Sequence, residues 1–239
     1  MTKHTPTMLA AMLVSAMTSA HAGSLAEWKF DDAAGTSLVS SSNSGSAGGS
    51  WSLNFDATTT DGTGKLVSKK PSGGNWNTYW PVPDGAPAKL WMVVDLAGWN
   101  LAGSKIKEAV RAGFSASDDD NKPQVVAQAV LARVPSGFVS LRGDALGDGA
   151  TSIEGEVPPM QTTRPEALSF IVGLDREAGT YSLAMRTAEA GLRQIGTGKI
   201  SPGREAKYVR FSIAGDLSDP EEAITIDRIA VTDTDPATP

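Results

Sequence analysis

The stretch Leu168-Ser169-Phe170-Ile171-Val172-Gly173-Leu174-Asp175-Arg176-Glu177-Ala178-Gly179-Thr180-Tyr181-Ser182-Leu183-Ala184-Met185-Arg186 decides the architecture of this chain. Leu168, Phe170, Val172 and Leu174 recur at every second position, and Tyr181, Leu183 and Met185 resume the same period after an interruption. Alternation of this kind puts one set of side chains on one face of a strand. The interruption, Asp175 to Gly179, has the length and late glycine of a looped β-turn. The segment therefore predicts an antiparallel hairpin that buries one face.

Working outward, the same period marks Trp51-Leu53-Phe55, Val110-Ala112-Phe114, Val209-Phe211-Ile213 and Ile224-Ile226. Turn-forming clusters separate these runs, among them Gly45 to Gly49, Pro83 to Pro87, Asp118 to Pro123, Gly143 to Gly149 and Ser201 to Gly203. Short strands at this spacing leave little room for helices, so the expected fold is all-β, with two antiparallel sheets packed face to face. A helix comes into question only at Lys105 to Arg111, where the start of a strand is the alternative.

The first 22 residues have a different composition. Lys3 is their only formal side-chain charge, Met8 to Met17 is almost entirely apolar, and Ala20-His21-Ala22 fits a small-residue cleavage pattern. These features predict a secretory signal peptide over 1–22, cleaved after Ala22, and a secreted or periplasmic protein. The apolar run is too short to span a bilayer. Residues 23–233 then form one sandwich domain, with 234–239 as a C-terminal tail.

Cleavage removes both histidines, His4 and His21, and the sequence has no cysteine. A Ser-His-Asp or Cys-His site, a histidine-ligated zinc and a thiol redox centre all need residues that the mature chain lacks. The formal net charge of −6 argues against a polyanion-coating surface, so nucleic acid is not an expected partner.

Glu27-Trp28-Lys29-Phe30-Asp31-Asp32-Ala33-Ala34-Gly35-Thr36, followed by a Ser/Asn/Gly-rich run over 40–50, resembles the opening strand and loop of the laminin-G-like, concanavalin-A-like jelly rolls of secreted bacterial proteins. The Leu168 to Met185 hairpin resembles a mid-domain hairpin of that superfamily. Ile224-Thr225-Ile226-Asp227-Arg228-Ile229-Ala230-Val231 is similar to its closing strand, which pairs beside the first. The resemblance implies a jelly roll and a carbohydrate ligand, presented by a binding module, a glycoside hydrolase, a polysaccharide lyase or an adhesive domain. It says less about activity than about fold. The Glu-x-Asp-x-x-Glu strand of the related glucanases is missing, as are the Arg-x-Glu-Leu and Gln-Ile-His motifs of the alginate lyases.

Three readings follow: a non-catalytic polysaccharide-binding protein, which is preferred; a polysaccharide lyase; and a structural or adhesive cell-surface domain. For binding, the expected platform is aromatic, with Trp76, Tyr79 and Trp80 beside Asn77 in a Gly/Asn/Pro-punctuated stretch and Trp99 in a neighbouring loop. A flat ring stacks on a pyranose while asparagine bonds its hydroxyls. The alternative for these rings is a cap on the sandwich core, the place expected for Trp28, Trp51 and Trp91.

For a lyase, β-elimination on a uronate needs a cation and a base such as tyrosine. Alternation allows Arg111, Gln128, Arg133, Arg142, Tyr181 and Arg186 to share a sheet face, and all ten arginines follow residue 110. Their alternative is the ordinary solvent side of half-buried strands, and Tyr181 is in phase with core positions. No cofactor is required, but a structural calcium has two candidate places. One is Asp118-Asp119-Asp120-Asn121. The other depends on the superfamily pairing of first and last strands, which would gather Glu27, Asp31 and Asp227.

Overall fold

A computed structural model describes residues 23–53, 58–69, 75–102, 108–119, 124–134, 136–154, 160–164, 167–214 and 223–236. Among these, fifteen strands and one 3-10 turn at Leu38–Ser40 make up the regular structure, with no α-helix. The strands are β1 (Ser24–Trp28), β2 (Ser52–Leu53), β3 (Thr58–Thr60), β4 (Leu66–Lys69), β5 (Asn75–Pro81), β6 (Lys89–Asn100), β7 (Val110–Ser115), β8 (Val125–Arg133), β9 (Val139–Asp144), β10 (Thr163–Arg164), β11 (Leu168–Asp175), β12 (Thr180–Thr187), β13 (Gly191–Lys199), β14 (Tyr208–Ala214) and β15 (Ala223–Thr232).

They form two antiparallel sheets. The nine-stranded sheet runs β13-β12-β11-β6-β15-β4-β3, with β1 also paired to β15 and β10 to β6; the six-stranded sheet runs β2-β5-β14-β7-β8-β9. The hairpin expected over Leu168 to Arg186 is β11 and β12, in register from Leu168 opposite Thr187 to Asp175 opposite Thr180. Its turn closes on Gly179 at φ 66°, a left-handed backbone that glycine adopts without strain. The first and last strands pair as the resemblance implied, with Trp28 opposite Ile229. Residues 110 and 111 lie in β7 and not in a helix, because Val110, Ala112 and Phe114 all face the core; 103–107 lie outside the described residues.

One apolar cluster fills the space between the sheets. Val209, Phe211 and Ile213 come from β14, Leu90, Met92 and Val94 from β6, and Phe170 and Val172 from β11, each at every second residue. Fully burying a side chain of this size stabilises by about 1.5–3 kcal/mol. Tryptophans close one part of it: Trp28 and Trp51 centroids lie 4.6 Å apart, and Trp80 meets Trp28 edge-on at 6.0 Å. Such ring pairs add about 0.5–1.5 kcal/mol beyond burial. The indole nitrogens of Trp28 and Trp51 have no hydrogen-bond partner among the described residues, a cost accepted for the apolar contact.

Trp91 departs from the expectation of a core position. It points to the outer face of the nine-stranded sheet, where it packs against Val93, Ile171, Ala184 and Ala230. Past β15 the chain turns across this outer face, and the Pro236 carbonyl accepts a hydrogen bond from Arg186 Nη2 on β12 at 2.7 Å. Residues 233–236 therefore lie over this face, with Asp235 beside Trp91 and Gly173 and Pro236 within reach of Arg186.

Candidate functional site on the six-stranded sheet

Strand register aligns the outward side chains of the six-stranded sheet in rows. One row reads Asn77, Ser212, Arg111, Val130, Arg142 across β5, β14, β7, β8 and β9. The next reads Tyr79, Arg210, Gly113, Gln128, Asp144 across the same strands. These positions alternate with Phe211, Ala112 and Ala129, which face the core. An outward face of this type normally meets water, yet Arg210 is 4% exposed, Gln128 7% and Asn77 8%. A buried arginine on a face that points away from the core is costly unless its donors are satisfied.

Arg210 donates from Nη1 to Gln128 Oε1 at 2.5 Å and from Nη2 to Asn77 Oδ1 at 2.6 Å. The first of these bonds passes over Gly113, which lies between the two residues in the row and contributes no side chain. A Cβ on Gly113 would stand 2.1 Å from the Ala127 carbonyl oxygen and 2.5 Å from Gln128 Cα, so β7 and β8 approach closely there only because the residue is glycine. Tyr79, opposite Arg210 in the register, and Tyr208, two residues before it on β14, meet edge to face at 6.1 Å; Tyr79 is buried and Tyr208 half-buried.

In the other row, Glu108 accepts from Arg111 through both Nε, at 2.8 Å, and Nη2, and from Arg142 Nη2 at 2.5 Å. Arg142 also donates from Nε to Asp144 at 3.2 Å. Both guanidiniums meet above Val130, their common neighbour in the register, which is fully buried. Burial pushes the Glu108 carboxyl up, but the Arg111 and Arg142 guanidiniums overcome it and hold the pKa below the usual glutamate value. Glu108 is therefore ionised at neutral pH and is not a general acid of the kind glycoside hydrolysis needs. Three arginines against two carboxylates leave this face net positive on a chain of formal charge −6.

The structure brings together part of the residue set expected from sequence. Arg111, Gln128 and Arg142 share the face, while Tyr181 and Arg186 do not. Tyr181 lies in the core and donates its hydroxyl to the Thr151 carbonyl at 2.9 Å, and burial, with the Asp144 charge, pushes its phenol up to about 12. Arg186 is on the nine-stranded sheet, and Arg133 is at the end of β8 in phase with the inward residues. Arg210, Tyr208 and Glu108 were missed. The alternation of Tyr208-Val209-Arg210-Phe211 already turned Arg210 outward; its cross-strand neighbours were not readable.

The aromatic platform is corrected. Trp80 is 1% exposed, in the core, with Nε1 donating to the Gly48 carbonyl, and Trp99 is 3% exposed, with Nε1 donating to the Gln161 carbonyl. Neither ring is available to stack on a sugar. Tyr79 and Asn77 instead belong to the arginine floor, and the Trp76 side chain lies outside the described residues. The three carboxylates considered for calcium are not gathered. Glu27 pairs with Arg228 and Lys29, Asp227 pairs with Lys65, and Asp31 is exposed, so this set does not fit a cation that needs six to eight oxygens. No group of three metal-ligating side chains occurs among the described residues. Asp118 and Asp119 are exposed, and 120–123 lie outside the described residues.

A separate cleft of about 960 Å³ opens where the 83–88, 175–180 and 199–205 connections meet. No aromatic ring lines it, and two of its cations tie loops together: Arg176 donates to the Ala86 and Pro87 carbonyls and Arg204 to the Val125 carbonyl. The polar floor of the six-stranded sheet is therefore the stronger site.

The chain matches no protein-family model and none of the curated proteins. Solved structures share its fold. A structure from work on endo-acting O-glycanases of the human gut microbiota that initiate mucin breakdown has a TM-score of 0.55 at 10% identity, over 89% of this chain and 100% of that one. The exoplasmic/lumenal domain of VIP36, in a form bound to Ca2+ and Man2, gives 0.52 at 10% identity, over 77% and 81%. The Emp46p carbohydrate recognition domain gives 0.50 at 11% identity, over 87% and 99%. Together with the two packed antiparallel sheets, these likenesses show a jelly-roll β-sandwich fold. Identities this low carry the fold and not the activity.

Proposed function

We propose that this protein binds glycan chains on the outer face of its six-stranded sheet and that Arg111, Arg142 and Arg210 favour an acidic sugar. The observation that carries the reading is Arg210: a guanidinium held between Asn77 and Gln128 at the floor of an outward face, in the row next to the Arg111–Glu108–Arg142 cluster. Planar donors held in place before the ligand arrives suit carboxylate or sulfate groups, and the half-buried Tyr208 ring on the same face suits the apolar side of a pyranose. The carbohydrate ligands named for the fold neighbours support glycan binding in general. The leader over 1–22 supports export, and a mature N-terminus beginning at Gly23 is the expected result of sequencing the released protein.

Retention on immobilised alginate and polygalacturonate, against neutral xylan and β-glucan, tests the reading. Wild type is retained on an acidic polymer and Arg210→Met is not. No retention on any polymer, or retention unchanged in Arg210→Met, overturns it. A second reading, β-elimination on a uronate, is favoured by the half-buried Tyr208 on the same face as Arg210. It predicts new ultraviolet absorbance from an unsaturated uronate when the protein is incubated with either acidic polymer, and loss of that signal in Tyr208→Phe.

A further inference from the structure

The cleft of about 960 Å³ between the 83–88, 175–180 and 199–205 connections is lined by two guanidiniums that come from different sheets. Arg176, in the turn after β11 of the nine-stranded sheet, donates from Nη2 to the Ala86 and Pro87 carbonyls. Arg204, in the connection that leads into β14 of the six-stranded sheet, donates from Nη1 to the Val125 carbonyl at 2.9 Å. Main-chain carbonyls fix both groups, but a carbonyl carries no charge to cancel theirs. Neither arginine has a carboxylate partner among the described residues, and Arg176 Nε is buried there with no hydrogen-bond partner. As a mere loop tether this is a poor arrangement, since a half-buried cation without a counter-charge costs free energy.

The anchoring bonds also decide which donors are left over. Arg176 Nη1 and Arg204 Nε and Nη2 are neither bonded among the described residues nor buried. They are charged N–H donors held in place beside an open cavity, and such donors suit an oxyanion. Lys199 adds an exposed ammonium to the lining. The two carboxylates of the lining, Glu177 and Glu205, are exposed, whereas both arginines are half-buried, so water screens the acids more than the guanidiniums. Ala86, Ala88, Ala178, Ile200 and Pro202 supply aliphatic surface, and no lining residue is aromatic. The volume lies at the upper end of the roughly 300–1,000 Å³ usual for small-ligand sites.

We infer that this cleft binds a small organic polyanion, an aliphatic di- or tricarboxylate whose acid groups meet Arg176 and Arg204 while its carbon frame rests on the aliphatic lining. Two separate guanidiniums call for two acid groups on one molecule, because the second contact is then made at a high effective concentration. The site shares no residue with the Arg210 face and does not depend on the reading of that face as a glycan site.

The test titrates succinate, adipate, suberate and citrate, with butyrate, sulfate and phosphate as controls, into the full chain at about 0.15 M NaCl, where exposed charges are largely screened. Calorimetry and ligand-detected NMR read binding. At least one di- or tricarboxylate binds wild type in the millimolar range or tighter, about tenfold or more better than butyrate. Arg176→Met and Arg204→Met each weaken that binding by about tenfold or more, and Arg210→Met leaves it intact. Where an arginine variant fails to fold, two exposed positions decide: Ala178→Glu adds a repelling carboxylate and weakens binding, and Glu177→Gln removes one and strengthens it. Absence of binding by all four carboxylates overturns the inference, as does binding unchanged by Ala178→Glu. Butyrate, sulfate or phosphate bound as tightly as the best polycarboxylate shows a general counter-ion site and overturns it too. Loss of binding in Arg210→Met moves the ligand to the six-stranded sheet and overturns this cleft alone, whereas failed retention on acidic polymers with polycarboxylate binding kept removes only the glycan reading.

Discussion

Arg210 Nη1 reaches Gln128 Oε1 at 2.5 Å by crossing Gly113, the residue between them in the strand register. A cation, an amide and a missing side chain on three adjacent strands thus form one unit. Its floor needs all three, since a largely buried guanidinium needs fixed acceptors and Gln128 is its acceptor on β8.

Gly113→Ala is expected to destabilise the fold by about 1–3 kcal/mol or more, because the new methyl meets the Ala127 carbonyl oxygen at 2.1 Å and the strands must separate. Thermal unfolding measures this. An unchanged midpoint would show that β7 and β8 yield more easily than their close approach implies.

Gln128→Ala removes an acceptor from a buried cation, so a loss of about 1.5–3 kcal/mol is expected. Arg210→Met in the same background should restore part of it, since the double variant leaves no cation seeking that partner. A double-mutant cycle by urea unfolding gives the coupling, and strict additivity would contradict the bond.

Glu108 sets a pH dependence. Its folded pKa lies below the unfolded value near 4.5, so its contribution is fully present above that value and is lost as pH falls through the folded pKa. Wild type is therefore expected to exceed Glu108→Gln in stability at neutral pH, with the two curves converging in acid below about pH 4.5. Unfolding midpoints measured from neutral to acid pH give the comparison.

Tyr181→Phe should cost about 1 kcal/mol by deleting the hydroxyl bond to Thr151 and should leave glycan retention unchanged. Burial pushes this phenol up to about 12 in the intact protein, so ultraviolet titration should find Tyr181 resistant until strongly alkaline conditions.

Trp80→Ala is expected to lower stability by about 3–5 kcal/mol, because it empties the space beside Trp28 and removes one of two donors to the Gly48 carbonyl. Loss of glycan retention without loss of stability would return this ring to a binding role.

The sheets were legible in the sequence wherever only one face of a strand is apolar. The Leu168 to Arg186 hairpin and the inward set of β14 are of that kind, and their alternation assigns faces without ambiguity. Trp91 was not legible, because Leu90-Trp91-Met92-Val93-Val94 is apolar at both parities. The outer face here carries its own small cluster with Ile171, Ala184 and Ala230. Tyr79 and Trp80 are adjacent, so a strand must send them to opposite faces, which dissolves a joint platform. The calcium set failed for a related reason: irregular register between Ile226 and Arg228 turns Asp227 toward Lys65 while Arg228 bonds Asp95 and Glu27. Period two reports which side a residue takes, but not which residues from distant strands stand beside it.

The central place of β15, between β6 and β4 and also paired with β1, has a kinetic consequence. A nascent chain cannot join its opening strand to the middle of the larger sheet until residues 223–232 have left the ribosome, so the early strands wait without their neighbours. Late closure of this kind keeps the polypeptide threadable while it is being synthesised.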